Sequence, residues 1–593
     1  MRKLEHFPNL VTMFFARAAE KGDAPFLSRK TDGAWASISW HEAAETVARL
    51  ATALKEIGLG RGDRVMLVSE NRPEWCLSDL AIMAAGCVTV PTYITNTERD
   101  HAHIIENSGA KAVIVSTDRL AKTLMPAILR SIQPQILIGI DTVRLGQVPF
   151  DVYDWKTLIA GAEATPETVA AQAEFAREDL ACIIYTSGTG GAPRGVMQHH
   201  GAILHNVKGC CDVISEDLGW GEEVFLSFLP LSHAYEHTGG QFVPIGLGGQ
   251  IYYAEGIEKL AANIEEVRPT IMFVVPRLFE VLRTRISKAI EKQGGLSARL
   301  LAAAIDVGTK RDAGRLRIGD RPKALVVDAL FKRRIAKKFG GRMKAMISGG
   351  APLTPEVGLF FQSLGLTFLQ GYGQTEAAPV ISCNRPSTGV TMDSVGPPLP
   401  DTEVRIAEDG EILVRGELVM HGYWRNDAET ARVLKEGWLH TGDIGEIDAR
   451  GRIKITDRKK DLIINDKGDN VAPQKVEGML TLQPEILQAM IAGDRKPHMV
   501  AVLVPDPEWT AEWAEKAGKS AARIGEDPDY RAALQQAVDR TNRDLSVIER
   551  VRRIILADEP FTIENEQLTP SLKIRRHVLK GVYGERLDAL YRT

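Results

Sequence analysis

A loop rich in hydroxyls and glycines carries the side chains best suited to chemistry. It spans residues 185–196, reads Y-T-S-G-T-G-G-A-P-R-G-V, and directly follows an apolar run at 180–184 that predicts a buried strand. Glycines let backbone approach a ligand closely, hydroxyls donate to phosphate oxygens, and an arginine binds an anion through two donors. Ala192 and Pro193 stand where a P-loop has its G-K-[ST] ending. The composition predicts a polyphosphate site, with a plain strand-exit turn as the alternative.

Five further short motifs lie downstream of this loop. They are S-G-G-A-P-L at 348–353, Q-G-Y-G-Q-T-E at 370–376, W-L-H-T-G-D at 438–443, D-R-K-K-D at 457–461 and L-T-P-S-L-K at 568–573. Together and in this order, the motifs resemble those of the AMP-forming adenylating ligases, the superfamily of acyl-CoA synthetases, nonribosomal adenylation domains and firefly luciferase. The loop departs from the family pattern at Gly190, where threonine is usual, and at Arg194, where lysine is usual. Arginine keeps the charge and adds donors, whereas glycine removes one donor.

The reaction that this resemblance implies transfers AMP from ATP to a carboxylate and releases pyrophosphate. Because one anion must approach another, the site has to supply cations and oriented donors. The resemblance implies that Lys573 bridges the carboxylate and the α-phosphate, and that Thr375 contacts the α-phosphate. It assigns Mg²⁺ to Glu376 with help from Thr186, in line with the preference of this ion for oxygen ligands. A solvated lysine in a basic cluster is the alternative for Lys573.

The remaining nucleotide contacts also follow from the resemblance. Tyr372 offers a flat ring to the adenine, Asp443 accepts from the ribose hydroxyls, and Arg458 gives a second ribose contact. An ordinary core aromatic and an ordinary turn aspartate are the alternatives for the first two. The full set of predicted phosphate, base and ribose contacts comprises Thr186, Ser187, Gly188, Thr189, Gly191, Arg194, Gly349, Gly350, Ala351, Gly371, Tyr372, Gly373, Gln374, Thr375, Asp443 and Arg458.

Transfer to a thiol requires a second arrangement of the chain. In the family, a small C-terminal domain rotates, withdraws the lysine and presents a thioester-forming face. Lys460 matches the hinge of this rotation, Gly468 matches the loop that lines the pantetheine channel, and His233 matches the residue that opens the channel. No histidine looks like a metal ligand, since the adjacent His199 and His200 have no cysteine or carboxylate at ligand spacing.

Composition and patterning predict a large α/β enzyme. Apolar strand-like runs at 65–68 and 112–115 alternate with helical segments such as 77–85, which is α/β organisation. The resemblance implies a large N-terminal body of layered α/β subdomains at 1–459 and a small, mobile C-terminal α+β lid domain at 460–593. With 73 basic and 77 acidic residues, no bulk attraction to nucleic acid is expected.

Cysteine usage and hydropathy predict a cytoplasmic location. The six cysteines form no CxxC pair, which is typical of reduced proteins. We read no signal peptide at the N-terminus, and no apolar run reaches the roughly 18 residues that a membrane span needs. The sequence favours no particular oligomeric state.

Three segments indicate the branch of the superfamily. The motif L-P-L-S-H-A-Y-E at 229–236, the segment 268–280 and an insertion at 288–339 resemble long-chain fatty acyl-CoA synthetases. This predicts a long-chain fatty acid:CoA ligase that uses ATP, Mg²⁺ and CoA. The alternatives are an acyl-AMP ligase that loads a carrier protein, a ligase for medium-chain or aromatic acids, and a non-catalytic nucleotide- or acyl-binding protein. The lack of a lid insertion between 468 and 573 disfavours the first, and the retained site residues disfavour the last.

The segment 310–342 is strongly basic. It holds 12 lysines or arginines against 3 acidic residues, interleaved with apolar side chains. A basic amphipathic surface binds anionic lipid, which predicts peripheral contact with the inner face of the membrane. A solvated helix face is the alternative and the more usual meaning of such a run.

Overall fold

The N-terminal part of the chain is built on two large sheets. The computed structural model describes residues 2–186, 192–292, 295–312, 315–317, 320, 333–459, 462–467, 469–520, 524–569 and 573–592. The first sheet has seven strands, parallel except for its last pair. In spatial order they are β7 (Asp151–Asp154), β6 (Ile136–Gly139), β5 (Ala112–Val115), β3 (Arg64–Val68), β4 (Val88–Pro91), β8 (Leu180–Thr186) and β9 (Arg194–His199).

The second sheet has eight strands, with parallel pairing inside and an antiparallel pair at each edge. Its inner strands are short apolar runs buried on both faces, as expected of parallel strands covered by helices. In spatial order the strands are β15 (Val380–Cys383), β14 (Phe368–Gly373), β13 (Ala345–Ser348), β12 (Ile271–Val274), β10 (Val224–Ser227), β11 (Gln250–Tyr253), β1 (Pro25–Thr31) and β2 (Ala34–Ser39).

Helices cover these sheets, and side-chain caps fix where several begin. Ser39 and Glu42 form a reciprocal capping box at the start of the second helix, satisfying N–H groups that a helix end leaves unpaired. Phe26 stacks on Trp40 with ring centroids 3.7 Å apart in the largest core. The helices are α1 (Leu10–Lys21), α2 (Trp40–Glu56), α3 (Pro73–Ala84), α4 (Glu98–Ser108), α5 (Asp118–Arg130), α6 (Trp155–Gly161), α7 (Pro166–Gln172), α8 (His200–Val213), α9 (Ala234–Glu236), α10 (Val243–Leu247), α11 (Leu260–Val267), α12 (Pro276–Lys292), α13 (Gly295–Asp312), α14 (Arg333–Lys338), α15 (Pro355–Ser363) and α16 (Asp427–Val433).

A third, antiparallel sheet leads into a C-terminal domain. The third sheet contains β16 (Glu403–Ile406), β17 (Glu411–Arg415), β18 (Leu434–Lys435), β19 (Trp438–Ile447) and β20 (Ile453–Arg458). The C-terminal domain has cores of its own, formed only by residues from 463 onward. Its elements are β21 (Ile463–Ile464), β22 (Asn470–Val471), α17 (Pro473–Leu480), β23 (Ile486–Ala492), β24 (Met499–Pro505), α18 (Pro507–Ala517), α19 (Pro528–Asn542), β25 (Val551–Leu556) and α20 (Arg576–Ala589).

The predicted fold class is confirmed, since layered α/β sheets precede a C-terminal α+β domain. The strands predicted at 65–68 and 112–115 and the helix predicted at 77–85 are also confirmed, within a few residues. Within the described part of the chain, no helix combines the length and the apolarity needed to cross a bilayer. Most of the basic segment between 313 and 332 lies outside the described residues, and α14 belongs to its described end.

Candidate functional site

The carboxyl ends of three strands converge where the motifs lie. β8 ends at Thr186, β13 at Ser348 and β14 at Gly373, and a single 3₁₀ turn at Thr375–Ala377 follows β14. Gln198 on β9 ties the sheets together, because its Nε2 donates to the Thr375 carbonyl at 2.7 Å. Ligands of open parallel sheets bind at such carboxyl ends, so this edge is the candidate active site.

Glu376 and Arg194 belong to one side-chain network at this edge. Tyr423 joins them, since its hydroxyl donates to Glu376 Oε1 at 2.7 Å while the Arg194 guanidinium lies 4.6 Å from the centre of its ring. Arg194 Nη1 donates to Glu429 Oε2 at 2.8 Å. Burial, with the charge of Glu376 as a second cause, raises the pKa of the Tyr423 hydroxyl far above its usual value, so this hydroxyl keeps its proton.

Tyr372, Asp443 and Arg458 form a second network beside the first. The Tyr372 hydroxyl donates to Asp443 Oδ2 at 2.7 Å, and Arg458 Nε donates to Asp443 Oδ1 at 3.1 Å. Asp443 lies buried inside β19, so it is not the exposed turn residue that was the alternative prediction. Tyr372 packs in the core between the sheets with its hydroxyl toward Asp443. The predicted adenine and ribose residues are therefore direct neighbours.

Two glycines of the motifs allow close packing that a side chain would prevent. A Cβ at Gly349 would lie 2.9 Å from the Tyr235 ring, and a Cβ at Gly373 would lie 1.8 Å from the Pro379 carbonyl oxygen. Gly350, with φ of 81°, and Ala351 follow as an exposed turn after β13. Gly371 lies within β14. This strand therefore includes the first four residues of the 370–376 motif and does not end before it.

Three buried polar atoms at this edge have no hydrogen-bond partner among the described residues. They are Arg194 Nε, Gln374 Nε2 and Ser348 Oγ. A buried donor without a partner costs about 1–3 kcal/mol, and native proteins satisfy nearly all of them. Two of the three, Arg194 Nε and Gln374 Nε2, can only donate. The edge thus presents spare donors, as a binding site for an anionic oxygen ligand requires.

His233 lies in the large domain at the start of α9. His233 caps α9 by accepting from the Tyr235 N–H at 3.1 Å. Burial, with the positive charge of Lys573 as a second cause, lowers its pKa to about 4. At neutral pH His233 is therefore uncharged. The charge of Lys573 in the C-terminal domain therefore acts on a predicted site residue of the large domain.

Contacts within the C-terminal domain hold the Lys573 backbone. Its N–H donates to Thr569 Oγ1 at 3.0 Å, and its carbonyl accepts from the Thr569 N–H at 2.8 Å. Arg576, at the start of α20, donates to both oxygens of Glu477 at 2.6 and 2.5 Å. The side chain of Lys573 is exposed. The Lys573 backbone is thus held by Thr569 while its cationic side chain is exposed.

Six predicted site residues lie outside the described residues. They are Ser187, Gly188, Thr189, Gly191, Lys460 and Gly468. Next to the predicted hinge, Lys459 is fastened to the large domain by Nζ contacts of 2.5 Å to Asp409 and 3.2 Å to Glu411. The chain is therefore anchored up to the residue before Lys460.

Sequence reasoning missed Tyr423 and Glu429. Glu429 lies 235 residues from its partner Arg194, and Tyr423 lies 47 residues from Glu376. Their only signal in the sequence is the G-Y-W-R-N-D-A-E stretch at 422–429, an aromatic pair followed by an N-capped acidic turn. Nothing in that pattern points to a partner for Arg194.

Comparison with known proteins agrees with the motifs. The family model for AMP-binding enzymes matches residues 14–424, and that for the AMP-binding enzyme C-terminal domain matches residues 460–593. This chain belongs to the AMP-binding enzyme family. The resemblance inferred from the motifs is confirmed.

Similar proteins match almost the whole chain. "Long-chain-fatty-acid--CoA ligase FadD15" of Mycobacterium tuberculosis is 33% identical over 98% of this chain and 97% of its own length. "Long-chain-fatty-acid--CoA ligase 1" of Homo sapiens is 29% identical over 95% of this chain and 84% of its own. The adenylation domain of carboxylic acid reductase from Segniliparus rugosus, solved with AMP and a co-purified carboxylic acid, superposes with a TM-score of 0.77 at 22% identity over 98% of this chain and 94% of that one.

Proposed function

We propose that the protein is an AMP-forming long-chain fatty acid:CoA ligase. The observation that carries the proposal is the pair of side-chain networks at the carboxyl edge of the sheets, in which Tyr423 contacts Glu376 and Arg194 and in which Asp443 binds Tyr372 and Arg458. Such an edge collects the cations and donors that an attack by carboxylate on ATP needs. The long-chain substrate class rests on relatives that are named for it and are similar over nearly their full length.

In the first half-reaction a fatty carboxylate oxygen attacks the α-phosphorus of ATP. The bond to the bridging oxygen breaks, and pyrophosphate leaves with that electron pair. We assign the ribose to Asp443 and Arg458, the base to Tyr372 and the glycines of 349–350, and the phosphate oxygens to Arg194, Gln374 and Thr375. Lys573 neutralises the two anions as they meet, because an ammonium on a flexible stem can contact both.

Mg²⁺ fits this edge through oxygen ligands. Glu376 offers a carboxylate held by the Tyr423 hydroxyl, and Thr186 ends the neighbouring strand β8. These two residues would hold the ion, with phosphates and waters completing its shell. When bound, it supplies positive charge against the phosphates.

In the second half-reaction the CoA thiol attacks the carbonyl carbon of the acyl adenylate. The carbon–sulfur bond forms, and the bond to the AMP oxygen breaks with AMP as the leaving group. We propose that the C-terminal domain, residues 460–593, rotates about Lys460 between the two steps. The ion pairs of Lys459 support this pivot, because they fix the chain on the large-domain side. Gly468 would then line the thiol channel, and His233 would open it.

Peripheral contact with anionic lipid through residues 310–342 is a further part of the proposal. Its support is the excess of basic residues in this segment, which continues into the described helix α14. Flotation of the full-length protein with vesicles tests it. Stronger binding to vesicles with anionic lipid than to neutral vesicles is expected, and equally weak binding to both would refute it.

Product analysis tests the proposed function directly. The protein is incubated with ATP, Mg²⁺ and CoA and with acids that range from palmitate to medium-chain and aromatic acids, and the acyl product is identified by mass spectrometry. We expect palmitoyl-CoA as a main product. An acyl adenylate that ignores CoA would indicate delivery to a carrier protein, and turnover of shorter or aromatic acids alone would change the substrate class. No pyrophosphate release with any acid would leave a binding role.

A further inference from the structure

Two histidines and a glutamate lie close together at the end of β9 opposite to Arg194. His199 is the last residue of β9, His421 lies in the segment 419–423, and Glu178 lies just before β8. His421 Nε2 lies 3.0 Å from Glu178 Oε2, and the two imidazole rings stack with centroids 4.3 Å apart. One ligating atom from each of the three side chains lies within 4.8 Å of the other two.

The surroundings of His199 orient its ring for coordination. Its Nδ1 lies 2.9 Å from the Arg177 carbonyl oxygen, so a proton on Nδ1 leaves a lone pair on Nε2. A backbone carbonyl that accepts from one ring nitrogen is the usual means of presenting the other to a metal. Nε2 itself lies 3.3 Å from the Val419 carbonyl oxygen, a long contact that a bound ion would replace. In the tautomer without metal, Nδ1 instead accepts from the Ala202 N–H at 3.2 Å.

We propose that Glu178, His199 and His421 bind a divalent transition-metal ion of the Zn²⁺ class. Imidazole nitrogens with one carboxylate suit Zn²⁺, whereas Mg²⁺ prefers oxygen ligands alone. The Glu178 and His421 side chains are 74% and 37% exposed, while His199 is 3% exposed. The site therefore has a buried wall and an open entrance, which an exchangeable ion needs.

This site differs from the one proposed for Mg²⁺ in ligands and in position. The strand β9 ends at His199, whereas Arg194 at its other end faces the phosphate edge. The segment 419–423 connects the two sites. Its Met420 N–H donates to the Glu376 carbonyl at 2.9 Å, and its His421 N–H donates to the Met197 carbonyl at 3.1 Å. The inference does not depend on the proposed ligase activity.

Zinc competition with a chromophoric chelator tests the proposal on the full-length protein. Zn²⁺ is titrated in excess Mg²⁺ into the wild type, His421→Ala and Glu178→Gln. His41→Ala is the matched control, because His41 is an exposed histidine 3.6 Å from a single carboxylate, that of Glu45. We expect the wild type to bind one more Zn²⁺ per chain than His421→Ala, or to bind that ion at least about tenfold more tightly. Glu178→Gln should weaken the same equivalent, and His41→Ala should match the wild type.

Measurement of Tm distinguishes binding of Zn²⁺ to this site from nonspecific binding of Zn²⁺ elsewhere. An ion that binds only the folded protein raises its Tm. We expect Zn²⁺ to raise the Tm of the wild type and of His41→Ala but not that of His421→Ala, with equal Tm values for the three in chelator. Wild-type zinc affinity and stoichiometry in both His421→Ala and Glu178→Gln would overturn the proposal. A loss of zinc binding in His41→Ala as large as that in His421→Ala would also overturn it.

Discussion

Removing the hydroxyl of Tyr423 tests whether the first network positions Glu376. Tyr423→Phe keeps the ring, and hence the contact with the Arg194 guanidinium, but deletes the 2.7 Å hydrogen bond to Glu376. A hydrogen bond to a charged group contributes about 1.5–3 kcal/mol. If this energy is fully used in the adenylation transition state, kcat/KM for that step should fall roughly 10- to 150-fold. The apparent affinity for Mg²⁺ should fall with it.

Fatty acid-dependent exchange of pyrophosphate into ATP is the assay, because it isolates the first half-reaction. Tyr530→Phe is the matched control, since Tyr530 is equally buried in the C-terminal domain and its hydroxyl makes a 2.7 Å bond to Thr510. We expect Tyr530→Phe to keep wild-type exchange. Exchange rates and Mg²⁺ dependence in Tyr423→Phe that equal those of the control would refute the positioning role.

Three further perturbations have defined outcomes. Asp443→Asn weakens the acceptor shared by Tyr372 and Arg458, so KM for ATP in the exchange assay should rise about tenfold or more, which corresponds to about 1.4 kcal/mol, with KM for CoA unchanged. Lys573→Ala should abolish exchange but spare thioester formation from supplied acyl adenylate. As a control, Lys580→Ala, at an exposed lysine, should leave both half-reactions intact. Equal loss of both half-reactions in Lys573→Ala would contradict the proposed rotation of the C-terminal domain. Burial raises the pKa of Glu236 to about 8, so the folded protein keeps a proton that the unfolded chain loses above about pH 4.5. The free energy of unfolding should therefore fall as the pH rises from about 4.5 to about 8. Glu236→Gln should remove this fall, worth up to about 4 kcal/mol, which Tm measured from pH 5 to 8 would detect.

The sequence predicted local structure well wherever apolar runs were short and bounded. The run at 180–184 became β8, which continues through Thr186 because pairing with β9 extends to Arg194. Asp443 could not be placed by pattern, since a Thr-Gly-Asp sequence is typical of turns. Its place inside β19 depends on pairing with β20, where it lies opposite Arg458.

Contacts between distant segments were beyond pattern reasoning. The pairing of Arg194 with Glu429 depends on how the segment 421–424 pairs with β9. The same pairing brings His421 to His199, for which no ligand partner was found at local spacing. Motifs identify residues of one family well, whereas supporting residues from other segments appear only when the sheets are assembled.

A pulse-chase experiment tests the two-step reaction most directly. Labelled palmitate, ATP and Mg²⁺ are mixed with excess enzyme without CoA, and CoA is then added together with a large excess of unlabelled palmitate. Before CoA is added, we expect about one enzyme-bound labelled palmitoyl-AMP for each labelled palmitate supplied. After CoA is added, we expect its conversion to labelled palmitoyl-CoA without dilution by the unlabelled acid. Absence of the bound adenylate, or loss of label from the thioester, would contradict the two-step reaction.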